Sequence, residues 1–491
     1  MELVLALDAG TSGVRTVAFD RFAVVQDTSY REVTQHFPSP GEVEHDAKEI
    51  ADLCIATLRD VAQHARANGH DIVALGITNQ RETTVAFDRS SGELPHRAIV
   101  WQDRRTAAYC ADLDARGASA PVRVTTGLVL DSYFSATKMR WFLDHAHMDS
   151  LETPSFATID SWLVWCLSGG VDGGRFVTEP SNASRTMLMD LTTLHWSKEM
   201  TTLFDVDTAM LATIQPSLSP FATVSADVVP ELAGVTITGI LGDQQSALFG
   251  QACFRPGVVK ATYGTGAFIL ANVGEENPGV FDGLITTLAW DLGDLAPPSY
   301  AVEGSAFVAG AAVQWLRDEM QFLDESAQLE SLATSVSDSA GVQFVPAFTG
   351  LGSPFWRSDA RGSITGLSRG VGRGQIARAL VEALAYQVRA ITDAFNDGGI
   401  ALHELRADGG AAAMDLLMQL QATNSKLPVL RSSSLEATAR GAATIAGLGV
   451  GLWSSLDELD ELWTFDRRFE PDDPLFVDLG YAAWRRALIH A

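Results

Sequence analysis

Lysine is scarce in this chain: five residues, at positions 48, 138, 198, 260 and 426, among 35 basic side chains. Acidic side chains number 61, and the formal charge is -26. That shortage of positive charge argues against nucleic acid, whose phosphates need a basic footprint, and against a polybasic membrane patch. It does not argue against a phosphorylated small molecule, because a local loop of amides binds phosphate against a global field. Cysteine is also sparse. Cys54, Cys110, Cys166 and Cys253 lie far apart with no Cys-x-x-Cys, which speaks against zinc or thioredoxin-like chemistry and for buried free thiols. Long apolar runs are missing too. The run from Leu3 is broken at Asp8 and has no basic start, unlike a signal peptide or a membrane span. A cytoplasmic protein with no nucleic-acid or membrane partner is expected.

What is present is an ordinary globular balance, 46% hydrophobic and 20% charged, with enough apolar surface to offset the entropy of folding. The 491 residues fit two large α/β domains as well as three smaller units. Leu3–Leu7 reads as a buried strand and Arg15–Phe19 as its hairpin return. Ile50, Leu53, Ile55, Leu58 and Val61 stand at helical spacing within residues 50–67. Asp71–Ile77 is a further short strand, so strands alternate with helices. The opening pattern recurs midway: Val258–Thr262, a Tyr263-Gly264-Thr265-Gly266 turn, then Ala267–Asn272. Two such units imply two similar domains facing each other. The expected division is 1–250 and 251–491, with surface or site loops at Pro278–Gly283, Leu292–Pro298 and Thr349–Trp356.

Several short segments carry candidate chemistry. Asp8-Ala-Gly-Thr11-Ser12-Gly13-Val-Arg15 is either a tight hairpin that needs glycine or an anion cradle. In the second reading its amides and hydroxyls meet phosphate and Asp8 holds magnesium. No Gly-x-x-x-x-Gly-Lys-Ser/Thr stretch exists, so a nucleotide would be held without a P-loop. The loops at Tyr263–Gly266 and Asp408-Gly409-Gly410 can surround one polyphosphate together with the first only if two domains form a cleft. Asn79-Gln80-Arg81-Glu82-Thr83-Thr84 follows a strand end, where α/β proteins bind ligands. Arg81 and Glu82 there are either a solvated ion pair or partners for polyol hydroxyls. In Gly242-Asp243-Gln244-Gln245, Asp243 is either a helix N-cap or a carboxylate base beside a phosphate site.

At these residues the sequence resembles the FGGY carbohydrate kinases, and within them the branch that phosphorylates glycerol. The resemblance runs from about residue 3 to residue 465. It rests on Ile77–Thr84, Ala98–Thr106, the signature Tyr133–His145 around Lys138 and Trp141, Ser181–Met187, Gly242–Gln245 and Phe344–Gly352. Gly362–Leu367 with Gln375 and Glu382 approximates a second signature. Long motifs in this order are specific. The resemblance implies two actin-like (ribonuclease-H-like) α/β domains with the active site in the cleft between them. It also implies transfer of phosphate from ATP, with Mg2+, to glycerol. A kinase for another small polyol, such as erythritol, or for a pentulose is the alternative. A catalytically dead sensor is a further reading, against which the intact Asp8, Thr265 and Asp243 stand.

The resemblance carries roles onto matching positions. Arg81, Glu82, Tyr133, Asp243 and Gln244 fall where glycerol's hydroxyls bind, and Trp101 and Phe268 where aromatic faces hold its carbon spine. Thr11, Ser12 and Arg15 fall at the phosphate loop, and Thr265, Gly310, Gln314 and Gly410 at the nucleotide. Asp8 and Asp243 would bracket the metal, and Asp243 would be the general base. Family members form dimers or tetramers, so a homodimer or homotetramer is expected. Three positions depart from the usual pattern. Ala9 and Gly13 remove an amide and a hydroxyl from the first loop. Met414 stands where an adenine-facing Asn is usual. Gly234 stands where some bacterial members bind fructose 1,6-bisphosphate through an Arg.

Overall fold

A computed structural model of the chain describes residues 1–434, 436–473 and 475–491. The first half is built on six strands: β1 (Glu2–Ala9), β2 (Gly13–Phe19), β3 (Val25–Glu32), β4 (Asp71–Asn79), β5 (Leu218–Thr223) and β6 (Thr236–Gly242). They lie in the order β5-β6-β4-β1-β2-β3. The main sheet of the second half is built on seven: β7 (Val258–Tyr263), β8 (Ala267–Gly274), β9 (Ile285–Trp290), β10 (Ser299–Ala306), β11 (Glu404–Asp408), β12 (Val429–Ser432) and β13 (Phe465–Phe469), in the order β9-β10-β8-β7-β11-β12-β13. In each sheet an antiparallel hairpin is joined through its first strand to two further parallel strands: β1 to β4 and β6, β7 to β11 and β12. The two strand–Gly/Thr turn–strand segments of the sequence are the two founding hairpins.

Each expected element forms, mostly one to three residues longer than its apolar pattern. The helix expected at 50–67 is α1, Ala47–Ala67, and it starts at Asp46, whose carboxylate accepts from the amides of Lys48 and Glu49. Strand β1 is buried on both faces, which explains its unbroken apolar run. Leu3, Leu5 and Leu7 pack with Ile50, Cys54, Leu58 and Val61 of α1. Val4 and Ala6 face the opposite way and pack with Ala442, Ile445 and Ala446. Those belong to a helix from late in the chain, Ala437–Gly449.

The remaining helices that matter for the site are α2 (Ser135–His145), α3 (Asp243–Gly250), α4 (Gly310–Asp318), α5 (Arg373–Asp397), α6 (Asp415–Ser425) and, last of these, that late helix, α7. Helix α7 lies on α3 and on the first sheet. Thr238 Oγ1 donates to the Ala446 carbonyl at 2.9 Å and Ser246 Oγ to that of Thr438 at 2.7 Å. The second core forms around α5, α6 and the second sheet. Among the described residues, no helix is long and apolar enough to cross a membrane. Cys54, Cys110 and Cys253 are buried free thiols, as expected, and Cys166 is half-buried.

Candidate active site

The parallel register of the first sheet sets the site. Asp8 pairs with Thr78 and Ala9 with Asn79, while Leu241 pairs with Thr78 and Gly242 with Asn79. The Gly10 loop, residues 80–82 and Asp243 therefore leave the sheet at one edge, the carboxyl ends of parallel strands where ligands bind. Gln80 ties the first two together: its amide donates to the Ala9 carbonyl at 2.8 Å and its Nε2 to that of Gly10 at 3.1 Å. Gly13 has a local reason. A Cβ there would overlap the ring of Tyr30 on β3.

Asp243 is not a helix N-cap. Gly242 caps α3, and Asp243 is its first residue, its Oδ1 accepting from the Gln244 amide at 2.7 Å. The same Oδ1 lies 3.2 Å from Arg81 Nε, with the carboxylate 28% exposed. It is thus open to a ligand but anchored.

Arg81 and Glu82 are not a solvated pair, for both are only 2% exposed. Arg81 donates to Glu303 at 2.7 and 3.1 Å and to Gln245 at 3.1 Å. Glu82 accepts from Arg185 Nε at 2.6 Å, and Arg185 also reaches Glu303 at 3.3 Å. The result is a buried square of two guanidiniums and two carboxylates, with Glu303 supplied by β10 of the other half. Burial pushes the Glu82 carboxyl up, with Arg185 and Arg81 opposing. Burial acts upward on Glu303 too, but Arg185 and Arg81 overcome it and hold that carboxyl at about 2. Glu82 adopts a left-handed backbone, φ 60°, a strained state found at functional sites. The hydroxyls of Ser135 and Thr84 donate to its carbonyl at 3.0 and 3.1 Å.

Three aromatic rings stand over this floor. Trp101 meets Tyr133 edge-on at 5.6 Å between centroids and Phe268 at 6.5 Å. The Trp101 indole also donates to Thr11 Oγ1 at 2.9 Å, tying the wall to the Gly10 loop. The Tyr133 segment is held by Lys138 of α2, whose ammonium donates to the carbonyls of Ser132, Tyr133 and Phe134 at 2.8, 2.6 and 3.1 Å. Burial drives that ammonium down to about 8. Lys260 on β7 is buried as well and donates to Gln244 Oε1 at 2.5 Å. Burial brings it to about 8, with Asp408 and Asp243 opposing.

The other expected residues gather in two places. Arg15 donates to Asp8 at 2.9 Å and meets Glu436 at 2.6 Å, while Ser12 is exposed at the turn. Burial lifts the Asp8 carboxyl above its ordinary value, with Arg15 opposing. In the second half Thr262 pairs with Asp408, so the Tyr263–Gly266 and Gly409–Gly410 loops emerge together. The Gly310 amide donates to the Gly264 carbonyl at 2.9 Å, and those of Ala309 and Ala311 to that of Thr265 at 2.8 and 3.0 Å. A Cβ on Gly310 would overlap Gly264, and one on Gly409 would overlap Tyr263. Thr265, Gly410 and Gln314 are exposed around this junction. Met414 is half-buried, packs against the second core and precedes α6. Among the described residues no cluster of three or more His, Cys, Asp or Glu side chains could hold a metal. Asp8 and Asp243 form a pair at one sheet edge.

This two-hairpin, two-sheet architecture and its motifs agree with a known group. The FGGY family of carbohydrate kinases matches with its N-terminal domain at residues 3–250 and its C-terminal domain at residues 259–450. The chain belongs to the FGGY family of carbohydrate kinases. It is 48% identical to a glycerol kinase of Leptothrix cholodnii, the match covering 96% of each chain. To one of Stenotrophomonas maltophilia strain R551-3 it is 47% identical, over 99% of this chain and 97% of the other. Among solved structures it is similar to Plasmodium falciparum glycerol kinase with ADP, with TM-score 0.92 and 34% identity over 100% of this chain and 98% of the other. The FGGY fold extends to a ligand-bound xylulose kinase from Lactobacillus acidophilus, with TM-score 0.88 at 20% identity over 100% and 99% of the two chains.

Sequence reasoning assigned no role to Glu303, Lys138, Arg185, Gln245 or Lys260. One signal was available for two of them. Glu303 and Lys260 are single charges inside apolar strands, and a buried charge is kept only with partners.

Proposed function

We propose that this FGGY kinase transfers the terminal phosphoryl group of ATP to a primary hydroxyl of glycerol, giving sn-glycerol 3-phosphate. The observation that carries the reading is the grouping of aromatic and polar side chains at the carboxyl ends of the first sheet. Trp101, Tyr133 and Phe268 wall a floor of Arg81, Glu82, Asp243 and Gln244, leaving apolar faces for three carbons and polar groups for their hydroxyls. Relatives called glycerol kinase, alike over almost the whole chain, support it.

In this reading Asp243 accepts the proton of the attacking hydroxyl as the O–P bond forms. Phosphoryl transfer asks the protein for positioning and charge neutralisation rather than covalent chemistry. Arg81 orients the Asp243 carboxylate, and Arg15 fixes the Asp8 carboxylate at the first loop. The loops at Thr265 and Gly410 receive the nucleotide phosphates, with Gly310 packed against Gly264 and Gln314 and Met414 beside them. Asp8 and Asp243 suit Mg2+, which binds through one or two carboxylates and fills its other positions with water and phosphate. Bound with the nucleotide, that ion would neutralise charge on the phosphates. We place the division between the two domains near residue 250, with α7 docked back on the first.

The test is a substrate panel with ATP. Glycerol should give the highest kcat/KM against erythritol and pentuloses, because a site built to hydrogen-bond hydroxyls rejects analogues that leave its groups unpaired. A pentulose with the higher value would replace the substrate and leave the family intact.

A further inference from the structure

Lys260 stands between Val259 and Ala261 in the apolar strand β7, with no accessible surface. Burying an ammonium is costly, so its contacts must repay that cost. Among the described residues it forms no ion pair. It donates to Gln244 Oε1 at 2.5 Å and to the Phe268 carbonyl at 3.3 Å. Both partners belong to the proposed glycerol pocket.

The consequence lies in the amide of Gln244. An ammonium has donors and no acceptor, so the atom facing it must be the amide oxygen. The Gln244 Nε2 is thereby turned away from Lys260. Among the described residues it donates to nothing, although its own backbone is bound to Asp243. A free glutamine can present either end of its amide. This one is held with its oxygen on Lys260 and its donor end unpaired among the described residues.

We propose that Lys260 is a positioning residue that locks Gln244 as a hydrogen-bond donor, so that the pocket selects a neutral hydroxyl over an ammonium at that position. The inference rests on the glycerol reading and adds the origin of its selectivity. A hydroxyl oxygen accepts from Gln244 Nε2 and keeps its own proton for another partner. A substrate ammonium meets a donor it cannot accept from and the like charge of Lys260 behind it, a built-in repulsion. Without Lys260 the amide can turn over and offer its oxygen.

The experiment compares glycerol with 2-amino-1,3-propanediol and 3-amino-1,2-propanediol, at pH 7 with saturating ATP, in the unaltered chain and in Lys260→Met. We expect the variant to raise the KM for glycerol while the KM for ATP stays within a factor of about two. The amine-to-glycerol ratio of kcat/KM should rise about tenfold or more for the better amine, the scale of losing one oriented contact. Gln244→Glu gives an independent readout if Lys260→Met does not fold. A carboxylate pairs with Lys260 but has no donor to offer, so the ratio should rise there as well. An unchanged ratio in either folded variant, or an equal rise in the KM for ATP, overturns the role of Lys260 and leaves the glycerol reading standing. Absence of glycerol turnover by the unaltered chain overturns both.

Discussion

Asp243 combines partial exposure with a fixed orientation, set by Arg81 Nε at 3.2 Å and the Gln244 amide at 2.7 Å. Replacing it with Asn keeps the shape and removes the proposed proton acceptor. Turnover should fall by about 10²–10⁴ with the fold intact; activity within a factor of about three in a steady-state assay would remove Asp243 from the mechanism. Glu303 shows the opposite balance, a fully buried carboxylate held by two guanidiniums. Glu303→Gln leaves Arg81 and Arg185 short of a counter-charge, and should cost about 3–5 kcal/mol at neutral pH. The sign of the pH effect follows from its depressed value. Glu303 sits at about 2 against an ordinary 4.5. Its contribution is therefore complete above the ordinary value and is lost as pH falls towards 2. Urea denaturation should show the gap between parent and variant narrowing from pH 7 to about pH 3, and a gap that stayed constant would contradict the assignment.

At the scale of elements, α3 carries Asp243 and Gln244 and α7 holds α3 in place. The two helices meet backbone to backbone. A Cβ at Gly441 would overlap the Ser246 carbonyl, one at Gly250 would overlap that of Ala437, and one at Gly76 on β4 would overlap that of Ala442. Glycine is needed at these positions for close approach rather than for an unusual φ. Gly441→Ala should force the helices apart, at a cost of about 1–3 kcal/mol, the usual range for overpacking. Because Asp243 is the first residue of α3, kcat should fall with stability. A denaturation midpoint and kcat both equal to the parent's would show that the contact yields freely. The strand at β1 illustrates how far local pattern reaches. Its apolar run predicts burial, and Asp8 with the following Gly10 and Gly13 predicts a turn. That its second face is covered by residues 437–449 has no local signature, because helix docking depends on shape and distance in the folded chain.

At the scale of the molecule, one apolar cluster joins Val4, Ala6 and Phe19 of the first sheet to Leu270, Trp290 and Ala301 of the second, and charged and aromatic contacts add to it: Arg81–Glu303, Arg15–Glu436, Lys260–Gln244 and Trp101–Phe268. The net charge of -26 opposes a polyanionic effector elsewhere on the surface. The segment Val229–Thr236 contains no Lys or Arg of its own. The structure brings Arg59 of α1 alongside, but that guanidinium donates to the Val228 carbonyl at 2.5 Å and lies 4.0 Å from Glu231. Glu231 also accepts from Gln63 at 2.7 Å. A positive charge already answered by a carboxylate makes a poor phosphate clamp. Glycerol phosphorylation titrated with fructose 1,6-bisphosphate to millimolar levels should show no saturable inhibition. A saturable curve, as opposed to a shallow loss from magnesium chelation, would mean that other arginines form the site.

Fold class, the two founding hairpins, the loops that follow their strands and the residue types at the candidate site are all legible in the chain before it folds. Those features are written locally: alternation makes strands, glycine and hydroxyl residues make turns, and long ordered motifs carry the family resemblance. Which charges answer one another emerges only on folding. Arg81 and Glu303 are 222 residues apart and Gln244 and Lys260 belong to different halves, so no spacing rule could pair them. Nor could it show that Arg81 and Glu82 are buried rather than solvated. The energy of a charge depends on the dielectric and the partners around it, and both are properties of the folded cleft.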